Sequence, residues 1–187
     1  MPGDLVGDYA ITGTLVEHTC GKAALPAADP MVFDVELRED NGQGYWIVKP
    51  PARSGTLASD GAFHFEVESS QSVSAGPTPA PEPDPEREVD PELAVDPERF
   101  ESMAPAAHCT LLVHETIRGT VHRPDADAGD IHVTGDLAGV NDIEVRAASD
   151  TDCGFVLEAQ GGIWERLPCQ VSYKLAGVLL ASDTPAP

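Results

Sequence analysis

The chain has few positive charges and no long apolar run. It carries 11 lysines and arginines against 32 aspartates and glutamates, which gives a formal net charge of −21. Such a surface repels the phosphates of nucleic acids and of anionic lipids, which argues against a nucleic-acid-binding function. No apolar run approaches the roughly 20 residues that cross a bilayer, so we expect no transmembrane segment.

Motifs of several enzyme classes are also missing. The sequence contains no Gly-x-Ser-x-Gly elbow, no phosphate-binding loop and no dinucleotide fingerprint. Its four cysteines include no Cys-x-x-Cys pair, which argues against a zinc knuckle or a thioredoxin-type motif. Hydrolysis by paired carboxylates stays open, but no pair stands out among the many acids. We therefore expect a non-catalytic protein.

Helical periodicity is absent as well, and a period of two takes its place. Met31, Phe33, Val35 and Leu37 alternate with polar residues, as in a strand with one buried face. Apolar residues keep this odd-numbered parity along most of the chain. The pattern predicts a single all-β domain over residues 1–187 with almost no helix.

Turns divide the pattern into about eight to ten strands. The sequences Asn41-Gly42 and Ser59-Asp60-Gly61 are typical of tight hairpin turns. The first and last strands share a pattern: Gly13 lies between Tyr9 and Leu15, and Gly177 lies at the same place between Tyr173 and Leu179. Strands so matched are expected to pair. We predict an antiparallel up-and-down β-barrel, with a β-sandwich as the alternative.

Residues from about 74 to 107 interrupt the strands. This stretch is rich in proline and acidic residues, and Asp-Pro-Glu recurs at Asp84, Asp90 and Asp96. Such a composition buries little apolar surface and is typical of a low-complexity insertion.

A hairpin is predicted between Cys109 and Leu137. Folding this stretch about Asp127 places Ile117 opposite Leu137 and His122 opposite His132. Apolar residues then face apolar residues, hydroxyls face hydroxyls and Arg118 faces the oppositely charged Asp136, which stabilises antiparallel pairs.

The tip of that hairpin is a candidate metal site. His122 and His132, with a carboxylate from Asp125 or Asp127, are suitable ligands for zinc or copper. Alternatively, Asp125, Asp127 and Asp130 supply oxygen ligands that suit calcium. Ordinary turn chemistry accounts for the same residues without any metal.

The four cysteines are expected to form two disulfides. Cys153 and Cys169 lie symmetrically about Gly161, so a tight hairpin would place them together and leave Cys20 to pair with Cys109. Disulfides indicate an oxidising compartment, which predicts a secreted, periplasmic or outer-surface bacterial protein of lipoprotein-like type. No charged and apolar leader follows Met1, so we expect that an export signal has been removed from this chain.

The interpretation of function follows from the predicted barrel. We expect it to bind a small apolar or amphipathic ligand within the barrel or at its mouth. Glu115 is the expected polar contact: it lies on the apolar parity, so either it points inward or a bulge releases it. Two alternatives are a filled structural module that contacts another envelope protein, and a metal-binding protein. The expected lining residues are Tyr9, Phe33, Phe63, Phe65, Leu111, Glu115, Phe155 and Tyr173.

Overall fold

The computed structural model describes residues 3–25, 27–49, 51–74, 107–122 and 136–180. These residues form a closed antiparallel up-and-down barrel of eight strands in sequence order, which confirms the predicted fold. The strands are β1 (Asp4–His18), β2 (Met31–Asp40), β3 (Gln43–Ile47), β4 (Arg53–Leu57), β5 (Ala62–Ser74), β6 (His108–Val121), β7 (Asp136–Ala147) and β8 (Cys169–Leu179).

The first and last strands close the barrel, as their shared pattern predicts. Ile11 of β1 faces Gly177 of β8, and Gly13 faces Leu175. Each glycine therefore lies opposite a large side chain. This pairing fills the narrow interior of an eight-stranded barrel without overcrowding it.

Odd-numbered residues face inward in most strands, but in β3 the even-numbered residues do. Asn41 and Gly42 both have positive φ, as expected for a two-residue hairpin turn. Because Asp40 pairs with Gln43 across this turn, the odd-numbered Leu37 of β2 faces the even-numbered Trp46 of β3. Trp46 is buried as a result, although it breaks the odd-numbered rule.

Aromatic rings fill the interior around Trp46. The Trp46 ring lies 5.8 Å from Phe63 and 5.8 Å from Phe65, measured between ring centroids. Phe65 faces Gly55 across the β4–β5 ladder, where a Cβ would come within 2.7 Å of the Phe65 ring. The absence of a side chain at Gly55 is therefore what makes room for Phe65.

The central hairpin forms with a different register from the predicted one. Ile117 pairs with Asn141 and not with Leu137, a shift of four residues along β7. Since the shift is even, the predicted inward faces are retained. The hairpin is longer than expected because β7 continues to Ala147, beyond the predicted end at Leu137.

The predicted disulfide pairing is wrong. The bonds join Cys20 to Cys169 and Cys109 to Cys153, where Cys20–Cys109 and Cys153–Cys169 were expected. Residues 153–169 form no tight hairpin. They contain two short 3₁₀ helices, Gly154–Val156 and Glu158–Gln160, so Cys153 and Cys169 do not face each other.

Strand pairing explains the observed bonds. His18 faces Val171 at the end of the β1–β8 ladder. Two residues further along each segment lie Cys20 and Cys169, which are therefore close to each other. Cys153 follows the end of β7, which is hydrogen-bonded to the strand that carries Cys109. Both disulfides therefore lie at the same end of the barrel, where β1 and β7 end and β8 begins.

Candidate functional site

Glu115 points into the barrel. The ladders on both sides of β6 continue without a bulge through this residue, so its side chain stays on the inner face. Its side chain is only 15% exposed. The first of the two expected outcomes is therefore confirmed, and a carboxylate removed from water at this depth requires partners.

Two residues from other strands supply those partners. The Arg53 Nη2 atom of β4 lies 2.7 Å from Glu115 Oε2. The Asn141 Nδ2 atom of β7 donates a hydrogen bond of 3.0 Å to Glu115 Oε1. Both oxygens of the carboxylate are therefore engaged, and we call Glu115, Arg53 and Asn141 the polar cluster.

Arg53 reaches Glu115 across a break in the barrel wall. The β4–β5 ladder contains the pair Gly55 and Phe65, but it does not continue to Arg53 and Val67. Val67 itself pairs with Glu115 on the other side of β5. The ion pair thus links β4 to β6 across β5, at a level where β4 and β5 are no longer paired through their backbones.

An open cleft of about 680 Å³ lies at this break. Apolar and charged side chains line it: Trp46, Val48, Pro51, Ala52 and Val67, with Lys49, Arg53, Ser54, Glu66 and Glu68. We call this feature the β4–β5 cleft. Its volume is within the range of pockets that hold small molecules. Arg53 is one-third exposed, so its guanidinium group is accessible from the cleft.

Two buried polar atoms near this region lack hydrogen-bond partners in the described part of the chain. They are the indole Nε1 of Trp46 and the amide Oδ1 of Asn141. Trp46 is 1% exposed and Asn141 is 5% exposed. Buried polar groups are nearly always hydrogen-bonded in folded proteins, so both atoms are exceptions. Because neither atom is accessible to water, neither faces the open cleft.

The structure brings the predicted ligand-lining residues together but leaves them little free surface. Tyr9, Phe65 and Leu111 are each at most 2% exposed. Phe33 and Phe155 are partly buried against the same core. Side chains that water cannot reach do not border a water-sized cavity, so the interior is filled where these residues meet.

Tyr173 belongs to this filled region. It is buried on β8 and faces Asn141 across the β7–β8 ladder. Burial raises the pKa of its hydroxyl group, and the carboxylate of Asp29 raises it further. Both effects favour the neutral phenol, which suits a side chain packed inside the barrel.

The predicted metal site is only partly covered by the structure. His132, Asp125 and Asp127 lie outside the described residues, as does Asp130. His122 is exposed, and its backbone N–H donates to the carbonyl of Asp136 at 2.9 Å. The register that placed His122 opposite His132 is therefore wrong. Within the described ranges, no group of three or more metal-binding side chains occurs.

Sequence reasoning missed Arg53, Asn141 and Trp46. Arg53 and Asn141 have the same odd parity as their apolar neighbours Leu57 and Leu137, so the parity rule already marked both as inward-facing polar residues. Trp46 was harder to place, because the two-residue turn before β3 reverses the parity.

Comparison of the chain with protein-family models, with curated proteins and with solved structures finds no match. Among the residues that the structure describes, no helix is both long and apolar enough to cross a membrane.

Proposed function

We propose that this chain is a secreted, non-catalytic protein that binds a small amphipathic ligand in the β4–β5 cleft, at the mouth of the barrel. The observation that carries this proposal is the open cleft of about 680 Å³, which combines apolar side chains with the partly exposed guanidinium group of Arg53. Two disulfides support export, because such bonds persist in oxidising compartments.

The mouth is a better location than the centre of the barrel. A ligand in the centre would have to displace aromatic side chains that already contact one another, such as Phe63 and Phe65. The cleft needs no such rearrangement. Its wall combines apolar surface with the charged groups of Lys49, Arg53, Glu66 and Glu68, and small-molecule sites likewise combine apolar surface with a few polar groups.

The test uses Trp46 as the reporter. Trp164 is replaced by phenylalanine so that Trp46 is the sole tryptophan, and fluorescence is followed during titration with decanoate, decanol and decyltrimethylammonium, each below its micelle concentration. We expect saturable one-to-one binding of at least one probe. If none of the three gives a saturable change, the proposal is wrong.

A matched pair of valine variants locates the site. Val48→Asp places a carboxylate on the wall of the cleft and should weaken binding at least tenfold. Val32→Asp places the same group on the outer face of β2, at a residue that is 68% exposed, and should leave binding unchanged. Equal effects of both variants would show that the probes bind elsewhere.

Protein interaction is a second candidate function, favoured by a groove on the outer face of β6, β7 and β8. The groove has a volume of about 690 Å³ and is lined by Val16, Ala138 and Val140, with Arg118 and Lys174 also in its wall. Val16 is 68% exposed, so the groove presents apolar surface to solvent. Affinity capture of a partner that is lost with Val140→Asp, but kept with Val32→Asp, would support this function.

A further inference from the structure

We propose that one edge of β5 is an interaction surface for a second copy of this chain. The surface consists of the backbone and side chains of residues 66–74, and we call it the β5 edge. In the proposed dimer, the two β5 edges pair antiparallel about a two-fold axis at Ser70 and join the two barrels through one continuous sheet. This inference does not depend on the proposed ligand.

The β5 edge is open on one side in the part of the chain that the structure describes. β5 pairs with β6 along its whole length, from Ala62 to Ser74. Its pairing with β4 ends at Phe65. No other described strand pairs with residues 66–74, because β4 and β6 are the neighbours of β5 in the barrel. An unpaired strand edge is a template on which another strand can pair.

The backbone groups at this edge point away from the barrel wall. Residues of an antiparallel strand bond alternately to the neighbour on one side and to the neighbour on the other. The Val121 N–H donates to the Gly61 carbonyl at 2.9 Å, so odd-numbered residues of β5 bond to β6. The Ala58 N–H donates to the Ala62 carbonyl at 2.8 Å, so even-numbered residues point to the opposite side. The N–H and C=O groups that face the open side beyond β4 are therefore those of Glu68, Ser70 and Ser72.

Most of the β5 edge lacks the features that protect strand edges from pairing. Residues 69–74 contain no charged residue and no proline, and all of them except Val73 are exposed. The ladder with β6 runs through them without a bulge. Charges, prolines and bulges are common means of keeping an edge unpaired. The edge is therefore accessible to another strand.

The apolar residues of the edge favour a second copy of the same strand as the partner. With the axis at Ser70, Val67 of one copy lies opposite Val73 of the other, and this pair occurs twice. Both valines are only partly buried in the single chain, so pairing removes more of their surface from water. Moving the axis by one residue in either direction places a valine opposite Gln71 or Ser69 instead.

The charged residues of the edge fit the same register. Glu68 lies opposite Ser72 and Glu66 lies opposite Ser74, so no glutamate faces another glutamate. The net charge of −21 on each chain opposes association at long range. The two Ser74 residues lie about 27 Å apart along the paired strands. The acidic stretches that follow them in sequence therefore begin further apart than the screening length of about 8 Å at physiological ionic strength.

The size of the surface indicates a weak, reversible dimer. Stable interfaces contain roughly 20–30 residues on each side, far more than the β5 edge supplies. Sedimentation equilibrium is therefore measured on the full chain from about 1 μM to about 1 mM, the range of weak complexes. We expect the average mass to rise with concentration from that of one chain toward twice that value. A mass that stays at one chain throughout this range would show that the inference is wrong.

Charge variants at the axis test the register. Ser70 lies opposite its own copy, so Ser70→Glu and Ser70→Lys each place two like charges together and should weaken self-association about tenfold or more. An equal mixture of the two variants places opposite charges together and should associate at least as tightly as the unmodified protein. Thr12→Glu is the matched control, because Thr12 is exposed on β1, which has a paired strand on each side. It should leave the association unchanged.

Amide hydrogen exchange then locates the contact. The N–H groups of Glu68, Ser70 and Ser72 should exchange more slowly at high protein concentration than at low concentration, whereas those of Thr12 and its neighbours should not change. If these three amides show no such protection, or if folded Ser70→Glu associates as tightly as the unmodified protein, the dimer uses another surface and the inference is wrong. The same holds if the mixture of variants fails to restore association.

Discussion

The barrel interior contains two regions that satisfy their side chains in different ways. Around Phe63 and Phe65, rings pack against rings and against the spaces left by glycines, and the indole Nε1 of Trp46 is buried among them without a described partner. Around Glu115, a carboxylate, a guanidinium and an amide satisfy one another only in part, because Asn141 Oδ1 has no described partner.

The comparison shows which region stabilises the fold and which one suits a ligand. Burial of the aromatic rings is favourable in proportion to the apolar area removed from water. A buried ion pair contributes little net stability, because desolvation of the charges offsets their attraction. The polar cluster also lies where the β4–β5 ladder ends and the cleft begins. Because the polar cluster contributes little to stability and lies beside the cleft, it is the better candidate for a ligand-binding site.

The largest expected effect comes from the aromatic region. Phe65→Ala removes a fully buried ring that no neighbour can replace, so we expect the free energy of unfolding to fall by about 3–5 kcal/mol. Chemical denaturation with the disulfides intact measures this loss. Val178→Ala, at a residue that is 61% exposed on the outer face, should change it by less than about 0.5 kcal/mol. A loss below about 1 kcal/mol for Phe65→Ala would contradict a tightly packed interior.

The next effect tests the polar cluster. Arg53→Met leaves the carboxylate of Glu115 without its charged partner and should cost about 1–2 kcal/mol, less than for a fully buried pair because Arg53 is one-third exposed. Adding Glu115→Gln removes the unpaired charge and should restore stability to within about 1 kcal/mol of the unmodified protein. Arg118→Met breaks an exposed pair with Asp142 and should have almost no effect. If the double variant is less stable than Arg53→Met alone, the proposed balance of charges is wrong.

The smallest effect concerns Tyr173, which lies between the two regions. Burial and Asp29 raise its pKa in the folded protein, so the unfolded chain ionises first as the pH rises through 10.0. The stability associated with Tyr173 is therefore fully present below that pH and is lost above it. Denaturation midpoints measured at pH 9 and at pH 11 should differ less in Tyr173→Phe than in the unmodified protein. Equal pH dependence in the two proteins would show that Tyr173 does not contribute.

Much of the fold could be predicted because strand alternation is a local property. The odd-numbered apolar residues of β1, β2, β5, β6 and β8 follow directly from the period of two. The Asn41-Gly42 turn was also recognisable from its residues. The same rule left two outcomes for Glu115, an inward side chain or a bulge, and the uninterrupted ladders of β6 show the first.

The register between β6 and β7 and the pairing of the disulfides could not be predicted from the alternation pattern. A shift of four residues between β6 and β7 preserves every inward face, so the alternation pattern fits both registers equally well. The disulfides depend on which chain ends meet when the barrel closes. Pairing of β1 with β8 was predicted, and extending that ladder past His18 would have placed Cys20 near Cys169.

The sequence by itself determined that this protein is all-β and that its apolar residues share one interior, because side-chain alternation is fixed by the local geometry of a strand. Only the tertiary structure decided that Arg53 and Asn141 hold Glu115 and that a cleft opens beside Trp46. These contacts join β3, β4, β6 and β7 across the barrel, and their distances depend on where each ladder ends.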